Sequence, residues 1–291
     1  MNLQSQGEAM RSVKMNDSNN TNCKYEWLSM LIDLPPSVLK FGMNGTLNTL
    51  PTANNLTLWK IKRKMPDGNK IVKSHCLSCG HDNARLGRVL CYCDFILNNG
   101  LFNPPKWRHD RVLTLLIDLI NPFLKEFQLY CDLPSHQHYY ESLPLVNSNL
   151  RPDIILINGN NLIIGELTCP MESSLSSCHR EKESKYYHLS SLFYNQGFVV
   201  TICAFEIIAR GLIADSLVFF LNQLEVTKQY VKLIVQKLSL MVPDCSFKIF
   251  INRDNKERTN IVESCSLQWR QLKDCKTPNS VVIGIAYSFC F

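Results

Sequence analysis

The 291-residue chain lacks any apolar run near the roughly 18 residues that a membrane-crossing helix requires. Its N-terminus carries no signal-peptide pattern. No internal repeat is visible, which argues against a solenoid or propeller. Strong charge of either sign is also missing: 31 Lys and Arg stand against 25 Asp and Glu, a net of +6. That balance permits a polyanionic partner without requiring one. Together these absences lead us to expect a soluble intracellular protein with no membrane partner. What is present is ample apolar material, 45% of residues, enough for one large domain or two small ones. The 13 cysteines are mostly scattered among apolar residues. In a reducing compartment most should be thiols packed as small hydrophobes.

One stretch carries chemistry. Arg151-Pro152-Asp153 is followed thirteen residues later by Glu166-Leu167-Thr168. Residues 153–157 are a β-rich run, Asn158-Gly159-Asn160-Asn161 signals a hairpin turn, and residues 162–168 form the return strand. With Gly159-Asn160 as the two-residue loop, Asn158 pairs with Asn161 and Asp153 falls opposite Glu166. Their Cβ atoms would then be roughly 5 Å apart. With Asn158-Gly159 as the loop, the register slides by two residues and both acids keep the same face. Two carboxylates this close repel unless a cation sits between them or one stays protonated. Such a pair suits a hard divalent metal and a phosphodiester.

After Pro170 the sequence reads as a helix from Met171 to Tyr194, with Leu175, Cys178, Tyr186, Leu189 and Phe193 as its inward stripe. At 100° per residue, Lys182 falls within about 40° of every member of that stripe, and Lys185 about 60° to one side. A lysine on an inward face is unusual. Lys182 could reach the carboxylates, or lay its stem on the core and send its charge to solvent. Lys185 and Tyr186 could flank it as phosphate contacts.

Elsewhere the chain reads as follows. Residues 1–22 are polar and expected to be disordered. Residues 24–60 hold short helices. Residues 60–73 are basic, including Lys62, Arg63 and Lys64, and form either a solvated loop or a phosphate-backbone contact. Cys76-x2-Cys79 is the first half of a zinc knuckle, continued by Cys93, with Cys91, His75 or His81 as possible fourth ligands. Residues 106–129 read as an apolar helix entered through Arg108 and His109, which could touch phosphate or simply lie at the surface. Then come a strand at 198–208, a helix capped by Asp215-Ser216, a helix at 226–241, and a final strand, Phe247 to Ile251. This order predicts an α/β fold with helices covering a small mixed sheet. We divide the chain into a tail (1–22), a helical linker with a degenerate knuckle (23–105), a catalytic-type domain (106–253) and an unassigned tail (254–291).

From about Trp27 to Arg253 an ordered set of segments is similar to a known family. It comprises Leu34-Pro35, Leu50-Pro51-Thr52 with Trp59, Cys76 and Cys79, Arg108-His109-Asp110, Arg151-Pro152-Asp153, Glu166-Leu167-Thr168, Lys182 with Lys185-Tyr186, and Phe205-Glu206 with Arg210-Gly211. The chain resembles the restriction-like endonuclease region of non-LTR retrotransposon polyproteins, a branch of the PD-(D/E)xK nuclease superfamily. The resemblance implies a restriction-endonuclease-like fold that nicks DNA. It implies that Asp153 and Glu166 hold Mg2+ or Mn2+ and that Lys182 and Lys185 belong to the catalytic set. Most of the superfamily carries its lysine where Thr168 stands; this branch carries it on the next helix. DNA and element RNA would be the partners, contacted by Lys62, Arg63, Lys64, Arg108, His109 and Tyr186, in the nucleus. The family knuckle is Cys-Cys-His-Cys. Here Arg88 stands at the histidine position, so His81 or Cys91 would complete a zinc site with Cys76, Cys79 and Cys93, or the knuckle is metal-free. No reverse transcriptase fits in the chain, which reads as a fragment of such an element or a gene derived from one. The alternative is an inactive nucleic-acid-binding remnant.

Overall fold

The computed structural model describes residues 31–59, 63–64, 70–71, 75–76, 79–82, 84–93, 97, 103–133 and 150–253. Both expected tails fall outside these residues. Among the described residues the main α-helices are α1 (Pro36–Thr46), α2 (Ala53–Leu58), α3 (Pro104–Ile120), α4 (Leu175–Asn195), α5 (Asp215–Gln223) and α6 (Lys228–Ile251). A two-residue ladder pairs β1 (Arg63–Lys64) with β2 (Lys70–Ile71). The main sheet has the order β3 (Gln128–Cys131), β4 (Ile154–Asn158), β5 (Asn161–Thr168), β6 (Val199–Glu206). The first three strands are antiparallel neighbours. β5 and β6 run parallel, joined through α4. The expected mixed α/β arrangement is thus present. Among the described residues no helix is long and apolar enough to cross a membrane.

The sheet is covered on both faces. Ile155, Leu162 and Ile164 pack on Tyr186, Leu189 and Phe193 of α4. Ile154, Leu156, Ile163 and Leu167 face the opposite way, toward α3, α5 and α6. This double burial explains why 154–157 is an unbroken apolar run rather than an alternating one. Each fully buried Leu or Ile contributes about 1.5–3 kcal/mol. Cys131, Cys203 and Cys245 belong to this core as small apolar side chains. The segment before α3 shares a core with the end of α6: the Phe41 ring lies 5.6 Å from Phe247 and 5.4 Å from Phe250.

Two expected elements are corrected. The helix of 106–129 ends at Ile120. Pro122 brings no N–H to extend the helical ladder, and Gln128–Cys131 instead forms the edge strand beside β4. The expected final strand at 247–251 is the end of α6. Val242, Cys245, Ser246, Ile249 and Phe250 are all buried at helical spacing, which outweighs the strand-like alternation of Phe-Lys-Ile-Phe-Ile. The interruption in that helix is Pro243, which cannot donate to the Ser239 carbonyl. Gly211 (φ +96°) packs at this point; a Cβ there would lie 2.6 Å from the Ser239 oxygen.

Candidate active site

Register places the two acids. β4 and β5 pair as Ile154 with Gly165 and Asn158 with Asn161, the register given by a Gly159-Asn160 loop. One residue further, Asp153 meets Glu166. The Asp153 amide donates to Glu166 Oε2 at 3.2 Å, and the Leu167 amide donates to Asp153 Oδ2 at 2.8 Å. Glu166 is 3% exposed and Asp153 9%. Buried carboxylates need charged or hydrogen-bonded company, and α4 supplies it. Lys182 Nζ lies 2.6 Å from Glu166 Oε1, and Lys185 Nζ 3.5 Å from the same oxygen. The buried Tyr186 hydroxyl donates to Glu166 Oε2 at 2.8 Å. Burial pulls the Lys182 ammonium toward its neutral form, but the charge of Glu166 and its hydrogen bond outweigh this and raise its pKa.

A third basic group serves Asp153. His109 Nε2 lies 3.0 Å from Asp153 Oδ2, and its Nδ1 lies 3.1 Å from Asp110 Oδ1. Burial disfavours the imidazolium, yet the Asp153 charge and the bonds to Asp110 and Asp153 raise its pKa well above the usual 6.5. Two carboxylates are therefore faced by His109, Lys182 and Lys185. Both acids lie on the sheet face that α4 covers, each held by a backbone amide of the other's strand.

Several sequence expectations change. Arg108 is not a phosphate contact. It is 1% exposed and donates to Ser246 Oγ and the Cys169 carbonyl, both at 2.9 Å. Its phase gives the signal: Arg108, Val112 and Leu116 follow one helical stripe. Tyr186 is also too buried to meet a phosphate, and it positions Glu166 instead. His109 turns inward to Asp153 rather than outward to DNA. Arg63 and Lys64 lie in the short ladder, while Lys62 is outside the described residues.

Sequence reasoning missed a neighbouring network. Glu206 pairs with Thr168 in the parallel register, on the same sheet face as Glu166. It is 2% exposed. His179 Nδ1 lies 2.9 Å from Glu206 Oε1, and the Ser216 hydroxyl donates to Oε2 at 2.6 Å. Ser216, expected to help cap α5, is used here instead. The spacing of His179 three residues before Lys182 would have placed both on one face of α4.

The cysteine cluster lies apart from the carboxylates. Cys76, Cys79 and Cys93 bring their sulfurs within 4.8 Å of one another, and the three could hold a metal ion such as zinc. His81 does not join them; its Nδ1 contacts the Asp82 carbonyl. Cys91 does not either. Its thiol donates to the Cys169 carbonyl at 3.5 Å and lies 3.5 Å from Arg108 Nη2. Arg88 reaches the cluster, with Nη1 4.0 Å from Cys79 Sγ. No protein-family model matches this chain, and no curated protein matches it.

Proposed function

We propose that the chain is a metal-dependent DNA endonuclease with a restriction-endonuclease-like core, related to the nicking nucleases of non-LTR retrotransposons. The observation that carries this reading is that Asp153 and Glu166 lie across from each other on one sheet face, with Lys182 of α4 2.6 Å from Glu166. Asp153 and Glu166 would hold Mg2+ or Mn2+, displacing part of the His109 and Lys182 contacts. The ion would supply an activated water and offset charge at the phosphorus. Lys182, released from Glu166, places its ammonium against the phosphoryl oxygens, where charge develops during hydrolysis. Lys185 stands beside it as a backbone contact. His109 and Tyr186 act as positioning residues for the two acids. Thr168 occupies the place where much of the superfamily carries its lysine, and the short stem of threonine leaves that task to α4.

Purified protein with Mg2+ should convert supercoiled plasmid to nicked circles, and Asp153→Ala should abolish the conversion. Nicking that persists in that variant sinks the assignment. A second reading, a folded nucleic-acid-binding protein that does not cleave, is favoured by one observation: the Glu166 oxygens and Asp153 Oδ2 are already engaged by protein donors. DNA binding without Mg2+-dependent cleavage would select it.

A further inference from the structure

Three residues before Lys182, α4 carries His179, and the two side chains share one face of the helix. That helix covers the sheet face of Glu166 and Glu206, which stand on the neighbouring strands β5 and β6. Each of these buried carboxylates is met by a basic residue from α4: Glu166 by Lys182 and Glu206 by His179. The nuclease reading gives Glu166 and Lys182 a task and leaves Glu206 and His179 without one.

The second pair is built to orient a ring. Glu206 is 2% exposed. Ser216, in the first turn of α5, fixes it twice: its hydroxyl donates to Glu206 Oε2 at 2.6 Å and accepts the Glu206 amide at 3.3 Å. The remaining oxygen, Oε1, faces His179 Nδ1 at 2.9 Å. The other ring nitrogen, Nε2, lies 3.3 Å from Glu183 Oε1, and these two side chains are 35% and 49% exposed. Ionised carboxylates only accept hydrogen bonds, so the ring that satisfies both carries a proton on each nitrogen. One proton is locked against a buried anchor. The other sits in an exposed ion pair, a weak contact in water that a substrate oxygen can replace.

We propose that His179 is the general acid of phosphodiester hydrolysis, with Glu206 and Ser216 as its positioning residues, a role that rests on the nuclease reading above. Hydrolysis forms a bond from a water oxygen to phosphorus and breaks the bond from phosphorus to a sugar oxygen. The electron pair of the broken bond stays on the sugar oxygen, which takes up a proton to leave as a hydroxyl. His179 Nε2 gives that proton, and the ring regains one from solvent. The attacking water loses its surplus proton to solvent. A phosphate held against Lys182 lies one helical turn from His179, since Cβ atoms at that spacing are about 5–6 Å apart.

The test uses the full-length protein with Mg2+ and two duplex oligonucleotides. One is ordinary DNA. The other carries sulfur in place of the leaving oxygen at the bond that wild type cuts, and sulfur departs without a proton. His179→Gln should slow cleavage of ordinary DNA about 10²-fold or more. It should cut the sulfur-bridged duplex as fast as wild type does. Lys182→Met should be slow on both. Glu206→Gln and Ser216→Ala should show smaller losses on ordinary DNA and wild-type rates on the sulfur-bridged duplex, a pattern that misfolding cannot give. Mg2+ affinity, measured by calorimetry, should be unchanged in His179→Gln. An equal loss on both duplexes, no loss on either, or a fall in Mg2+ affinity overturns the role of His179 and leaves the nuclease reading standing. A wild type that leaves DNA uncut with Mg2+ overturns the nuclease reading, and the role of His179 falls with it.

Discussion

The carboxylate site and the cysteine cluster occupy one molecule but are built in opposite ways. The acids are set by strand register: Asp153 at the entry to β4 and Glu166 in β5, with Lys182 and Tyr186 delivered by the long helix α4. Ladder hydrogen bonds and a doubly covered sheet hold that geometry. The cysteines come from turns outside the main sheet, closed by a few backbone bonds around Gly80. Their sulfurs gather, but among the described residues no comparable backbone ladder holds them. Register can preorganise a site before its ligand arrives, whereas turns leave more of that task to the ligand.

The contrast can be broken or sharpened by experiment. The largest effect should come from Lys182→Met. If the ammonium meets the developing phosphoryl charge, nicking should fall about 10²–10³-fold, with the far-UV spectrum preserved; a plasmid assay under single turnover measures this. Next is Arg108→Met, which strips Ser246 and the Cys169 carbonyl of their shared buried donor. Urea unfolding should show a loss of about 3 kcal/mol. The smallest effect concerns pH. The pKa of His109 is raised in the folded state. Its stabilising contribution is therefore complete below the unfolded value near 6.5 and fades as pH rises through the higher folded value. Melting temperature should decline across that interval, and His109→Gln should flatten the decline relative to wild type.

Much of this contrast was legible in the sequence. Period-two alternation put Asp153 and Glu166 on one sheet face under either loop the sequence allowed, and the observed pairing of Asn158 with Asn161 selects the Gly159-Asn160 loop that sets them opposite each other. Helix phase was enough to bring Lys182 inward. What escaped were contacts between segments distant in sequence. Arg108 read as a basic entry to a helix, since nothing local announced the Cys169 carbonyl 61 residues away. His109 read as a surface residue for the same reason, its partner Asp153 being 44 residues on. The end of α6 read as a strand because residues 247–251 alternate like one; burial at helical spacing from Val242 to Phe250, partly against Phe41 from far back in the chain, decides for a helix.

The hairpin has a consequence for how the chain reaches this state. Asp153 and Glu166 are separated by 13 residues, and a hairpin of that size closes in about 1–10 μs. Lys182 arrives only when α4 folds back onto the sheet, and His109 must return from 44 residues away. A hairpin closed without α3 and α4 would carry two uncompensated carboxylates at its open end; Lys182 and Lys185 on α4 balance Glu166, and His109 on α3 balances Asp153. The lysine helix is thus an electrostatic latch for the sheet as well as a wall of its core.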